Sequence, residues 1–265
     1  MAGPAPPRAP KPKVPRPALR EPALAFVAVV ALASGLYWTG RAVPLVRANL
    51  HALIAVSFFY APVAAEALGG RRFDFRDAGL RLDPLRLNLA VLLAAAAIVL
   101  PLFVLGFFLF YDLACARGTS GAGAGAGAWA ASALARLCPS PTWRGFGGGH
   151  LRLPSNLAML AATQVLVIAL PEEVFFRGYL LGRLEERWPS KRRLAGAPVG
   201  PALVTSALLF GLGHVLVDFN PQRLSVFFPA LVFGWMRART GSLAAGAAFH
   251  ALCNLLADVL HTSTF

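Results

Sequence analysis

Apolar runs of roughly membrane-spanning length recur along this chain, separated by short polar segments rich in arginine. They fall at 23–38, 49–68, 87–111, 155–184, 200–217, 224–237 and 242–260. About 20 apolar residues in a helix cross a hydrocarbon core of ~30 Å. The first run is short, but it closes on Tyr37-Trp38, aromatic residues suited to the membrane interface. The sixth is shorter still and is expected to lie tilted or only partly inserted. The pattern predicts an all-α fold: a polytopic transmembrane helix bundle of about seven spans.

The segments between the runs set the organisation. Residues 1–22 carry eight prolines and five Lys/Arg, a composition that predicts a disordered basic tail. Ala31-Leu32-Ala33 also offers a small-residue cleavage site, so a signal peptide is an alternative reading of the first run. Residues 23–111 form an N-terminal three-span region. Residues 112–154, with the repeat Gly121–Ala128 and the run Gly147-Gly148-Gly149, read as a glycine-rich outer loop. Within it, Trp129–Leu137 is suited to a short interfacial helix. Residues 155–260 hold the last four spans. Cys115 and Cys138 both lie in the outer loop, where pairing and two free thiols are equal alternatives.

Composition agrees with the pattern. The chain is 57% apolar and 14% charged, with a mean hydropathy of +0.61. Its net charge is +13, yet the basic residues sit between apolar spans and read as topology signals, not as a nucleic-acid surface. With the N-terminus inside, 17 Lys/Arg fall in cytoplasmic segments and seven outside. That bias favours a cytoplasmic N-terminus and an external C-terminus. The Ala, Gly, Pro and Arg bias fits a GC-rich bacterial genome, and so a bacterial inner membrane. Three cysteines without metal-like spacing give no zinc framework.

Three spans carry ionisable groups. Pro171-Glu172-Glu173-Val174-Phe175-Phe176-Arg177-Gly178 puts two carboxylates and an arginine at bilayer depth. Each charge there costs about 2.5–3.5 kcal/mol on insertion scales and calls for a partner or a polar cavity. On a helix, Glu173 and Arg177 are i, i+4 neighbours able to pair, while Glu172 points about 100° away. Phe210-Gly211-Leu212-Gly213-His214 ends the fifth span, its glycines leaving room for a neighbouring helix or a substrate backbone. In the last span, His250 and Asn254 share one helix face. At ~1.5 Å per residue, Glu172, His214, His250 and Asn254 fall within one layer.

Glutamate and histidine on separate helices suit hydrolysis by water. Glu172 can serve as general base, His214 or His250 as oxyanion stabiliser, and Asn254 as a further donor. The trio Glu172, His214 and His250 is also the set a divalent metal such as zinc would use, although no His-Glu-x-x-His signature is present. A lone buried histidine is more often a packing residue, and Glu173–Arg177 alone reads as an ion pair at a helix bend. A proton-coupled carrier or scaffold is the competing class.

Glu172-Glu173-x-x-x-Arg177, Phe210-x-x-x-His214 and His250-x-x-x-Asn254, in that order on successive spans, resemble the CPBP intramembrane endopeptidases. That family takes in the CaaX prenyl endopeptidases and the bacteriocin-processing and immunity (Abi) proteins. The resemblance covers about 155–260. It implies a CPBP-like catalytic four-helix core in which Glu172 activates water, His214 is the second essential group, and His250 with Asn254 stabilises the oxyanion. Glu173, Arg177 and Phe210 would support them. It further implies no cofactor, or else a metal on Glu172, His214 and His250. The implied partners are the lipid bilayer and a membrane protein or peptide processed near its C-terminus, and no nucleic acid. A bacterial sorting enzyme of the myxosortase kind and a bacteriocin-processing or immunity protein are the alternatives within the family.

Overall fold

The computed structural model describes residues 19–119, 138, 143, 145 and 150–264. Residues 1–18 of the predicted tail, the Gly121–Ala128 repeat, the Trp129–Leu137 segment and the Gly147-Gly148-Gly149 run lie outside the described residues.

Among the described residues eight helices carry the fold: α1 (Arg20–Ala42), the short α2 (Pro44–Ala48), α3 (Leu50–Leu68), α4 (Leu85–Thr119), α5 (Leu157–Arg187), α6 (Pro201–Asp218), α7 (Phe227–Thr240) and α8 (Ala244–Thr264). Six of them, all but α2 and α7, are long and apolar enough to cross a membrane. α7 has 14 residues and reaches only ~21 Å. The chain is thus an integral membrane helix bundle, with α7 as its short seventh layer.

Helix ends depart from the hydropathy pattern where local chemistry decides. α1 starts at Arg20, inside the predicted tail, because Pro22 sits in the first turn, where a missing N–H costs nothing. It then runs unbroken through 31–33, and Ala33 is fully packed. α4 continues from 111 to Thr119, since Asp112-Leu113-Ala114-Cys115 contains no helix breaker. Between α5 and α6 the chain forms a hairpin, β1 (Arg192–Leu194) with β2 (Ala197–Val199), in antiparallel register Arg192↔Val199. Ala195 and Gly196 both have positive φ, the conformation of a tight two-residue turn.

The elements close a ring: α1 packs on α3 and α6, α3 on α5, α5 on α8, α8 on α7, and α7 on α6. α4 lies outside the ring against α7 and α8, with Leu93, Ile98 and Leu102 exposed to the surroundings. One end of the bundle is basic and tied together. Buried Glu66 on α3 pairs with Arg71 and with Arg183 on α5, and Arg71 also reaches Glu21. At the same end Arg237 Nε donates to Ala78 O at 3.2 Å, and Leu243 N donates to Gly79 O at 2.8 Å. Gly79 is required there: a side-chain Cβ would stand 2.7 Å from Arg237 Nε, and its φ is +100°. The other end carries Cys115, which forms a disulfide with Cys138.

Candidate active site

α5 builds the site through an irregular helix. Its hydrogen-bond ladder widens to a π pattern over Gln164–Ala169 and again over Val174–Leu180. Pro171, between the two, has no N–H to give the ladder. π segments of this kind often mark functional positions. Here they bracket Glu172 and Glu173.

The two glutamates have different surroundings. Glu173 is fully buried, and its Oε1 accepts from Arg177 Nη1 at 2.8 Å. Arg177 is also buried and sits in an aromatic cage, with Cζ 4.3 Å from the Phe210 ring centroid and 5.1 Å from that of Phe233. Its Nη2 donates to Ala230 O at 3.3 Å. Cation–π contact and charge pairing together offset the cost of desolvating the guanidinium. Glu172 instead faces the cavity; its buried Oε2, like that of Glu173, has no hydrogen-bond partner among the described residues.

Two histidines converge on that oxygen. His214 Nε2 lies 3.9 Å from Glu172 Oε2, and His250 Nε2 lies 3.8 Å from it. Both rings are held by their other nitrogen. His214 Nδ1 donates to Phe210 O at 2.9 Å, and His250 Nδ1 donates to Glu173 Oε1 at 3.2 Å. A carbonyl and a carboxylate only accept, so both Nδ1 atoms carry protons and both Nε2 atoms turn inward. Phe233 stacks on the His250 ring at 4.7 Å and 17°, fixing its plane. The gaps to Glu172 exceed a direct hydrogen bond and suit one intervening atom.

Asn254 lines the same cavity one turn along α8 from His250. Its Nδ2 donates to Gln164 Oε1 at 2.9 Å, while Gln164 Nε2 donates to Asp258 Oδ2 at 3.3 Å. The glycines of α6 serve neighbours in the bundle: Gly213 faces Val30 of α1, and Gly211 faces Leu224. Among the described residues, no group of three or more His, Cys, Asp or Glu side chains is arranged to hold a metal ion.

The structure therefore brings Glu172, His214 and His250 to one point, sets Asn254 on the adjoining wall, and places Glu173, Arg177 and Phe210 behind them. Sequence reasoning missed Gln164, Asp258 and Phe233. The first two left a signal, as polar positions inside apolar runs: Asp258 stands four residues beyond Asn254 on the face of His250. Phe233 left none.

Residues 154–256 match the family model described as type II CAAX prenyl endopeptidase Rce1-like. The match is to the CPBP family and covers 103 of the chain's 265 residues. The Rce1-like segment begins just ahead of α5 and ends within α8, so it contains every residue named above except Asp258 and the helices α1 and α3 that complete the ring. No curated protein and no solved structure matches the chain.

Proposed function

We propose that this protein is an intramembrane endopeptidase that hydrolyses a peptide bond near the C-terminus of a membrane-tethered protein, with Glu172 activating the attacking water. One observation carries the reading: the unpartnered Oε2 of Glu172 is faced by the Nε2 atoms of two histidines from two other helices. The Rce1-like match over the same residues supports it.

The chemistry follows from the positions. Glu172 takes a proton from water, and the water oxygen attacks the scissile carbonyl carbon. With Nδ1 of His250 held by Glu173, a proton on its Nε2 lets that N–H and the second N–H of Asn254 donate to the oxyanion. Glu172 then returns its proton to the leaving amine as the C–N bond breaks. Glu173 acts through His250 as a positioning residue. Every step uses water and these side chains alone.

The basic segments support a cytoplasmic N-terminus, and the Ala, Gly, Pro and Arg bias supports a bacterial inner membrane. The deciding experiment compares the C-termini of membrane and surface proteins in cells carrying wild-type protein or Glu172→Ala. Tails that persist only with Glu172→Ala are expected, and their sequences would distinguish a sorting signal from a bacteriocin-type precursor. Identical C-termini, with the variant present at normal level, would overturn the reading.

A further inference from the structure

The cavity that holds Glu172 has a volume of about 410 Å³, within the ~300–1,000 Å³ usual for ligand pockets. Its lining is asymmetric along the bundle. Below Glu172 stands a plug of buried aromatics, Phe58, Phe176, Phe210 and Phe233, the last three over Arg177. Among its lining residues none comes from the basic end of the bundle: not the Arg71–Arg86 loop, the β1–β2 hairpin or the α7–α8 turn. Above Glu172 the lining continues to Tyr37 and His51 near the α1–α3 connection, to Asp218 at the end of α6 and Arg223 beyond it, and to Asp258 on α8. The side chains of His51, Arg223 and Asp258 are exposed, and Arg223 Nε pairs with Asp218 Oδ2 at 2.6 Å. These charges mark an aqueous rim.

The rim stands at the end of the bundle that carries Cys115–Cys138. Disulfides persist on the oxidising side of a membrane. Around the well stand α1, α3, α5, α8, α7 and α6, each packed on the next. From His250 to Asp258 the wall of α8 rises ~12 Å. At ~3.3 Å per residue, that depth takes about four residues of extended chain. One wall is polar along this length, through Asn254, Gln164 and Asp258.

Resting on the proteolytic reading above, we propose that substrate enters from the disulfide-bearing, non-cytoplasmic face, as an extended segment threaded down this well to Glu172. The substrate class is then a polypeptide whose scissile region is unfolded and presented outside the cytoplasm. A segment exposed only to the cytoplasm meets the basic end, where the aromatic plug separates it from Glu172.

Thiol labelling from one side tests this. His51→Cys at the rim and Lys191→Cys on the basic hairpin are each treated with a membrane-impermeant thiol reagent, in intact cells and after permeabilisation, with wild-type protein as the baseline for Cys253. His51→Cys should label in intact cells and Lys191→Cys only after permeabilisation. The adduct at His51→Cys should lower cleavage at least tenfold, and the adduct at Lys191→Cys should leave it unchanged. A rim cysteine protected until permeabilisation, or one that is labelled and still cleaves at the wild-type rate, overturns the proposal. Labelling needs no turnover. If Glu172→Ala cells process every protein normally, the proteolytic reading fails, while the labelling pattern still decides the face on which the well opens.

Discussion

Glu173 and His250, 77 residues apart in sequence, meet at 3.2 Å through Oε1 and Nδ1. The second glutamate of the pair thereby holds the ring whose other nitrogen faces the first. Adjacent residues of the same chemical type are separated into a buried anchor and a cavity-facing carboxylate by a single step around α5.

This division predicts opposite effects on stability. Glu173→Ala leaves Arg177 buried without its carboxylate and should destabilise the protein by about 3–5 kcal/mol. Glu172→Ala removes a buried oxygen that has no hydrogen-bond partner, a feature that costs about 1–3 kcal/mol. Its melting temperature in detergent should equal or exceed that of wild type while cleavage is lost. Thermal unfolding of the two purified variants checks both; a Glu172→Ala protein less stable than Glu173→Ala would refute the assignment.

Asn254 and Gln164 separate donation from positioning. On the proposed mechanism Asn254→Ala removes an oxyanion donor and should reduce kcat by about 10²–10³-fold. Gln164→Leu keeps the donor but frees its amide to rotate. A smaller loss, in kcat with KM nearly constant, is expected, and Gln164→Glu, which retains an acceptor for Asn254, should recover part of it. Steady-state kinetics on a peptide substrate distinguishes these outcomes from a general loss of fold.

Phe233 touches both halves of the site, stacked on His250 and beneath Arg177. Phe233→Ala should cost about 3–5 kcal/mol by opening a cavity. Phe233→Tyr retains the stacked face and should keep most activity provided its hydroxyl is accommodated, whereas Phe233→Leu should keep more stability than activity. Melting curves and rates measured on the same preparations give the comparison.

Chelation reads the role of the trio directly. With Glu172, His214 and His250 acting on water alone, dialysis against a strong chelator should leave the rate unchanged, and added zinc should not raise it. A loss on chelation that zinc restores would reassign the three side chains as metal ligands.

Much of this was legible in the sequence, for physical reasons that differ by residue. Charges at bilayer depth are costly enough to announce themselves, so Glu172, Glu173, Arg177, His214 and His250 stood out from apolar surroundings. The i, i+4 spacing of Glu173 and Arg177 anticipated a contact that survives the π widening of α5. Phe233 was hidden because an aromatic in an apolar run carries no signal until a ring is found lying against it. The walls supplied by α1 and α3 were hidden as well: Val30, Ala33 and Phe58 are ordinary span residues whose role comes only from how helices distant in sequence pack. The two-residue turn at Ala195-Gly196 was missed for want of the usual Asn-Gly or Asp-Gly signal.

The shortness of α7 has a consequence for the surrounding lipid. A helix of ~21 Å faces a hydrocarbon layer of ~30 Å. The mismatch is relieved by thinning the bilayer beside it, at fractions of a kcal/mol per ångström. The headgroup region is therefore drawn inward beside α7, which brings the membrane surface and a substrate tethered to it closer to the rim of the well. Thicker membranes oppose that deformation. Cleavage rates in vesicles should fall as acyl chains lengthen, making lipid composition a rheostat on the enzyme with no bound regulator.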